Sequence, residues 1–259
     1  MANGSPTSAR AASSGAEASP SAPLLIPCLM LRRGQVCLPG PKGPVRVHTR
    51  SGPALDPFDV VDRLEPDFER LYLVDLDGIE RGVPQLEYVQ ELSRDMDLWV
   101  DSGVATADAA IDILVAGAQR AVLSSSYLRS SVELKRAWKL STDWAFEVEL
   151  VEGRVQTART QPDKTDAPTL VQFARSIGIT DVIVSPREQD PDWILIRSLA
   201  AGGPTWVDGT FDVTQQTRLT EVGAAGGIFH LDRVLEDLVF PVDNPPSDSP
   251  TVSPRDDED

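Results

Sequence analysis

Carboxylates that could carry acid–base chemistry stand at the ends of several short apolar runs in this 259-residue chain. Asp75 and Asp77 follow one such run, and Asp101, Glu149 and Asp208 each stand at or near the end of another. Carboxylates that share one site raise each other's pKa, which suits proton transfer near neutral pH. The same grouping could instead attract a divalent cation or an amine-bearing ligand. The pattern therefore indicates an acidic site.

His230 is one of only two histidines, and it ends a further apolar run. It could act as a proton shuttle, or it could be a side chain satisfied by hydrogen bonds. The carboxylates also have structural alternatives. Asp75 and Asp77 could fix a loop by hydrogen bonding, whereas Asp101 and Asp208 could cap the helices that follow them.

The elements that must position these residues alternate between strand and helix. The strands are nearly continuous apolar runs, which is typical of strands buried on both faces. They are predicted at 24–31, 70–76, 97–101, 120–124, 145–150, 181–185, 204–208 and 226–230. Helical patterns follow them at 57–65, 84–94, 106–117, 130–139, 168–177, 190–201, 212–222 and 231–239. Eight such βα units predict an α/β fold, either a closed barrel or a doubly wound open sheet.

An internal repeat favours the barrel. Trp99-Val100-Asp101 recurs as Trp206-Val207-Asp208, and Arg33-Gly34-Gln35-Val36 is echoed by Glu152-Gly153-Arg154-Val155. Both offsets are close to half of the predicted domain, so the second half copies the first. We therefore predict a single (βα)8 TIM barrel with a two-fold half-barrel repeat. Its strand ends would bring these residues to one mouth: Met30, Asp75, Asp77, Asp101, Ser124, Glu149, Ser185, Asp208 and His230.

Composition limits the domain and its partners. The barrel is predicted to span 23–240, between a disordered tail at 1–22 and an acidic disordered tail at 241–259, because neither end has apolar periodicity. A net charge of −16 argues against nucleic-acid binding, and no apolar run approaches the ~20 residues of a membrane span. Two cysteines form no disulfide framework, so we expect a protein of the reducing cytoplasm. We also expect a monomer that binds a small molecule. Without metal-binding, P-loop or dinucleotide motifs, neither a cofactor nor a metal is expected.

Three segments carry a resemblance to the HisA/HisF family: LIPCLMLRRGQV (25–36), LYLVDLDGIERGVPQLEYVQEL (71–92) and WVDSGVATADAAIDILVAGAQRAVLSSSYL (99–128). The most specific match is Val74-Asp75-Leu76-Asp77-Gly78, where the family reads VDLDGA on its second strand. The resemblance runs from about 24 to 239. It implies a (βα)8 barrel of two similar halves, related to the ProFAR isomerase of histidine biosynthesis.

The catalytic positions depart from the family pattern. HisA enzymes read roughly IPAIDL on strand 1, where the Asp is a catalytic acid/base, but Met30 stands at that position here. Methionine cannot transfer a proton. On the fifth strand the family's second catalytic Asp is matched by Glu149, which is one methylene longer. The resemblance therefore implies a diverged HisA-like paralogue that uses Glu149 with Asp101, Asp208 or His230 as its acid/base residues.

The phosphate-binding turns depart as well. The family holds two phosphates in Gly-rich turns through backbone N–H groups. The corresponding turns here are Asp101-Ser102-Gly103-Val104-Ala105 and Asp208-Gly209-Thr210, and each begins with a carboxylate that would repel phosphate. We therefore expect a changed small-molecule substrate, or alternatively a non-catalytic barrel that binds a partner or ligand. The ligand-binding residues implied are Asp75, Asp77, Ser102, Gly103, Ser124, Ser125, Gly209 and Thr210.

Overall fold

A closed barrel of eight parallel strands forms the centre of the molecule. The computed structural model describes residues 23–49, 52–158, 165–187, 190–209, 213–231, 235 and 239–241. The barrel strands are β1 (Leu24–Arg32), β4 (Arg70–Asp75), β5 (Asp97–Asp101), β6 (Arg120–Ser124), β7 (Trp144–Val151), β9 (Asp181–Pro186), β10 (Thr205–Gly209) and β11 (Gly226–His230). Each pairs in parallel with the next, and β11 pairs with β1 to close the ring. The predicted barrel is confirmed, and the open sheet is excluded.

Eight helices are seen in the described part of the chain. They are α1 (Pro57–Leu64), α2 (Leu76–Arg81), α3 (Leu86–Leu92), α4 (Ala107–Val115), α5 (Ser131–Leu140), α6 (Ala167–Ser176), α7 (Trp193–Ala200) and α8 (Val213–Val222). Side-chain oxygens of Asp56, Thr106, Asp166 and Asp192 cap α1, α4, α6 and α7 by accepting N–H groups of the first turn. The short α2 was not predicted from the sequence. The helix expected at 231–239 lies mostly outside the described residues.

Within the described residues, four further strands lie outside the ring, and none of them was predicted. They are β2 (Gln35–Leu38), β3 (Val45–Thr49), β8 (Arg154–Val155) and β12 (Val239–Pro241). β2 and β8 fold back on β1 and β7 as antiparallel hairpins, and β12 pairs with β3. The expected tail at 1–22 lies outside the described residues, and so does the expected tail at 241–259 except for Pro241, which ends β12.

The two hairpin turns have the same backbone conformation. Arg33 and Gly34 have φ of 51° and 68°, whereas Glu152 and Gly153 have φ of 51° and 69°. Positive φ at both central residues is the signature of a type I′ turn, which suits a two-residue hairpin. These are the segments that echo each other in the sequence, so the half-barrel repeat extends to backbone geometry.

The core has two layers. One lies between the sheet and the helices, and the other fills the barrel interior with Ile26, Cys28, Tyr72, Trp99, Val122, Ala145, Ile183, Trp206 and Ile228. At its centre Trp99 and Trp206 meet edge to face, with ring centroids 5.0 Å apart. Because strand side chains alternate between faces, the residue two positions further along each strand also points inward, nearer the mouth. This alternation positions the candidate site. No helix among the described residues is long and apolar enough to span a membrane.

Candidate active site at the barrel mouth

A ring of mostly polar side chains lies directly above the apolar interior. Each follows an interior residue by two positions: Met30, Val74, Asp101, Ser124, Glu147, Ser185, Asp208 and His230. Glu149 lies two positions beyond Glu147 on β7. Asp101, Glu147 and Glu149 are only 6%, 4% and 9% exposed. The strand ends therefore gather the acid–base residues expected from the sequence, together with Glu147, which was not expected.

Asp75 has a structural role. Its carboxylate accepts hydrogen bonds from the Gly78 N–H at 3.1 Å and from the Gln85 N–H and side-chain amide at 2.8 and 2.9 Å. It also accepts one from the Ser102 hydroxyl at 3.1 Å. With both oxygens engaged, Asp75 fixes the loop that joins β4 to α3. This geometry supports the loop interpretation of Asp75, and it makes Ser102 its partner.

Asp77 joins two segments. Its carboxylate accepts the Arg33 N–H of the β1–β2 turn and lies 2.8 Å from the Arg81 guanidinium. Burial alone would raise the pKa of Asp77, but these partners outweigh it and the pKa is lowered. Asp77 therefore holds the hairpin against α2 as a fixed negative charge.

Asp101 is the carboxylate best placed to exchange a proton. The pKa of Asp101 is raised to about 6. Burial is the largest cause and the charges of Glu149 and Asp75 add to it, while the Gly103 N–H and Arg187 oppose the rise. It does not cap α4, because Thr106 is the N-cap, so the cap alternative is wrong for Asp101. The Gly103 N–H donates to Asp101 at 2.9 Å, so this backbone donor of the β5–α4 turn is already engaged.

Glu149 is held in its ionised form. Its carboxylate accepts the Arg187 Nε–H and the Ser126 hydroxyl, each at 2.7 Å. Burial would raise the pKa of Glu149, but Arg187 and Ser126 together lower it. The Ser125 hydroxyl accepts the Glu149 backbone N–H at 3.1 Å, so Ser125 positions the strand end. Arg187 was missed from the sequence, because its partner is distant in the chain.

Asp208 and His230 form the opposite side of the ring. Asp208 Oδ2 accepts the Ser185 hydroxyl at 2.8 Å, and its Oδ1 lies 3.8 Å from His230 Nε2. That separation is too long for a hydrogen bond. Asp208 Oδ1 and His230 Nδ1 are buried without a hydrogen-bond partner among the described residues. Gly209 ends β10 beside them. Thr210, and the segment that decides whether Asp208 caps α8, lie outside the described residues.

Glu147 is the residue that sequence reasoning missed although a signal was present. In Ala145-Phe146-Glu147-Val148-Glu149 the alternation places Ala145, Glu147 and Glu149 on one face. Burial raises the pKa of Glu147 well above its usual range, as do Asp101 and Asp208, while a hydrogen bond from Ser124 opposes the rise. Glu147 Oε2 has no hydrogen-bond partner within the described part of the chain.

A metal site finds no support in this geometry. In the ranges that the structure describes, no three His, Cys, Asp or Glu side chains are grouped to hold a metal ion. The mouth combines Asp101, whose pKa is raised to about 6, with Glu149, whose pKa is lowered, and with unsatisfied oxygens of Glu147 and Asp208. Carboxyl groups with such different environments are suited to proton transfer on a bound small molecule.

Comparison with protein-family models identifies the family of this chain. The model described as "Histidine biosynthesis protein" matches residues 24–190. That range is more than half of the chain and runs from β1 to the residues just after β9. It contains the β4–α2 segment with Asp75 and Asp77, both hairpins, and the strand ends that carry Asp101, Glu147 and Glu149. The chain therefore belongs to the histidine biosynthesis protein family, the HisA/HisF barrels.

Proposed function

We propose that this protein is a diverged isomerase-type enzyme with a changed small-molecule substrate. Asp101 exchanges a proton with the substrate, and Glu149 is its ionised partner. Asp208 and His230 complete the acid–base set from the other side of the mouth. We also propose that it acts as a cytoplasmic monomer without nucleic acid.

The observation that carries this proposal is the opposite displacement of two neighbouring carboxyl pKa values. The pKa of Asp101 is raised to about 6 by burial, while Arg187 and Ser126 lower that of Glu149. Environments that separate the pKa values of two groups in one site are a mark of acid–base assignment. A carboxylate with a pKa near 6 is ionised at neutral pH yet basic enough to take a proton.

The altered turns support the change of substrate. The two turns that correspond to the family's phosphate-binding turns each begin with a carboxylate, and the Gly103 N–H already donates a hydrogen bond to Asp101. A phosphate there would face Asp101 directly, with a repulsion of about 4 kcal/mol for unit charges 4 Å apart at a surface-like dielectric. A bisphosphate held in the family manner is therefore disfavoured. Gly209 and Ser124 remain at the mouth as contacts for a less anionic ligand.

Hydrogen exchange tests the proposal without knowledge of the physiological product. The protein is incubated in D2O with a panel of aldoses, ketoses, amino sugars and their phosphates, and proton NMR follows the loss of the C–H signal beside the carbonyl. We expect exchange with at least one compound, falling at least 100-fold in Asp101→Asn. Removal of a general base typically costs 10²- to 10⁴-fold.

Asp97→Asn is the matched control, because Asp97 begins the same strand at the opposite end of the barrel. Its exchange rate should equal that of the unmodified protein. Exchange with no compound in the panel would support the alternative, a non-catalytic barrel. That alternative is favoured by Met30, which cannot transfer a proton, and by the ion pair that occupies Glu149. Equal rates for the two variants would overturn the role of Asp101.

A further inference from the structure

The floor of the mouth holds four buried polar atoms that lack hydrogen-bond partners among the described residues. They are Tyr72 Oη, Glu147 Oε2, Asp208 Oδ1 and His230 Nδ1. Tyr72 is 2% exposed and Glu147 is 4% exposed. Buried polar groups are almost always hydrogen-bonded, so a cluster of exceptions in one place indicates a bound group that completes it.

These atoms belong to one place in the barrel. Tyr72 lies in the apolar interior cluster, and the other three residues stand on the inward faces of β7, β10 and β11 directly above that cluster. The charges of Glu147, Asp101 and Asp208 all act on the Tyr72 hydroxyl, so it lies near these carboxylates. The Tyr72 hydroxyl is neutral at pH 7 and is therefore not one of the mutually repelling carboxylates. Its lack of a partner is a second sign of a ligand, separate from the grouping of acidic residues.

The cluster accepts more hydrogen bonds than it donates. The oxygens of an ionised carboxylate accept only, and the phenol can accept as well as donate. Arg187, on which the charges of Glu147 and Asp208 act, already pairs with Glu149 at 2.7 Å. A complementary ligand must therefore bring several donors and a positive charge. A primary ammonium group has three N–H donors and no acceptor.

We propose that the barrel floor binds the primary ammonium group of an amine-bearing small molecule, held by Glu147, Asp208 and the Tyr72 hydroxyl. This inference rests on the proposed function for its choice of substrate class, although its test requires no catalysis. The ammonium group would orient the substrate so that its reacting carbon lies above the floor, towards Asp101 and Glu149 at the ends of β5 and β7.

Ammonium binding should release a proton from Glu147. The groups that act on Glu147 from the surrounding strands are Cys28, Tyr72, Asp101, Glu149, Asp208 and Arg187. Burial and the carboxylates among them favour the protonated form of Glu147 in the free protein, while the hydrogen bond from Ser124 and the charge of Arg187 oppose this. An ammonium ion pairs with the ionised form. The affinity for an ammonium ion should therefore increase as the pH rises towards neutrality, with up to one proton released per ligand bound.

Matched pairs of amine and alcohol provide the test. Ethanolamine is compared with ethylene glycol, and glucosamine with glucose, by thermal shift and by calorimetry in buffers of different ionisation enthalpy. We expect the amines to raise the melting temperature by about 2–4 °C near saturation, whereas the alcohols have no effect. In Glu147→Gln and Asp208→Asn the affinity should fall at least tenfold, and Glu147→Gln should abolish most of the proton release.

Glu91→Gln is the control, because Glu91 lies exposed on α3 and pairs with Arg94. It should bind amines like the unmodified protein. Equal responses to amine and alcohol, or unchanged affinity in both floor variants, would overturn the inference. Amine binding without hydrogen exchange in the D2O assay would contradict the isomerase proposal but support the ammonium site. Hydrogen exchange on a neutral sugar without amine binding would support the isomerase proposal but overturn the ammonium site.

Discussion

Replacing Asp101 by Asn should stabilise the protein at neutral pH. Asp101 has a pKa of about 6 in the folded chain against 3.8 for the free side chain. At about 1.36 kcal/mol per unit, ionising it in the fold costs roughly 3 kcal/mol. Asn cannot ionise, and its Oδ1 can still accept the Gly103 N–H. Asp101→Asn should therefore be more stable at pH 7 by up to about 3 kcal/mol.

The pH dependence fixes the sign of the effect. A raised folded pKa means that Asp101 destabilises the protein only where it is ionised. The penalty is absent below about pH 4, grows as the pH rises from about 4 to 6, and is constant above that. The stability difference between variant and unmodified protein should follow the same course. Each kcal/mol corresponds to about 2–4 °C in melting temperature for a domain of this size.

Thermal and urea melts from pH 4 to pH 8 measure this difference. Asp97→Asn, at the exposed start of the same strand, should change stability by less than about 0.5 kcal/mol at every pH. Destabilisation of Asp101→Asn at pH 7, or a stability difference that does not vary with pH, would refute the reasoning. It would show that Asp101 is stabilised by its neighbours as an ionised group.

Two further predictions follow from the site. Expression in a bacterial histidine auxotroph that lacks the ProFAR isomerase should give no growth without histidine, since Met30 and both acidic turns remove the family's proton donor and phosphate contacts; growth would contradict the changed substrate. Asp75→Ala should destabilise the protein by about 3 kcal/mol or more, because it leaves four donors on Gly78, Gln85 and Ser102 without an acceptor. Asp108→Ala removes the exposed ion pair between Asp108 on α4 and Arg136 on α5. It should lower the free energy of unfolding by less than about 1 kcal/mol, measured for both variants by urea denaturation.

The barrel was predictable because its signals are local. Eight apolar runs of strand length lie between helical patterns, and each predicted barrel strand lies within about a residue of its observed bounds. The hairpin strand β2 and the edge strand β12 gave no such signal. They are short, and β12 is defined by its pairing with β3, which is far away in the chain. Pairing between segments so far apart in the chain leaves no pattern of apolar residues that would identify β3 or β12 from the sequence.

The site was predictable in part. Asp101 and Glu149 could be placed from strand ends, because the carboxyl ends of parallel strands meet at one mouth. The ion pair of Glu149 with Arg187 could not be placed, since it depends on the rotamer of a side chain beyond the end of β9. Glu147 could have been found. A second carboxylate two positions before Glu149, on a strand that is otherwise apolar, faces the same interior.

The contact between Trp99 and Trp206 bears on how the barrel arose. The two residues occupy equivalent places in the two halves, and their rings meet in the barrel interior. A position that contacts its own counterpart lies close to the axis that relates the halves. In an ancestor made of two identical half-barrels, a single tryptophan would therefore have met its own copy across a two-fold axis. One aromatic residue, encoded once, would have sealed the centre of that dimer before gene fusion joined its subunits.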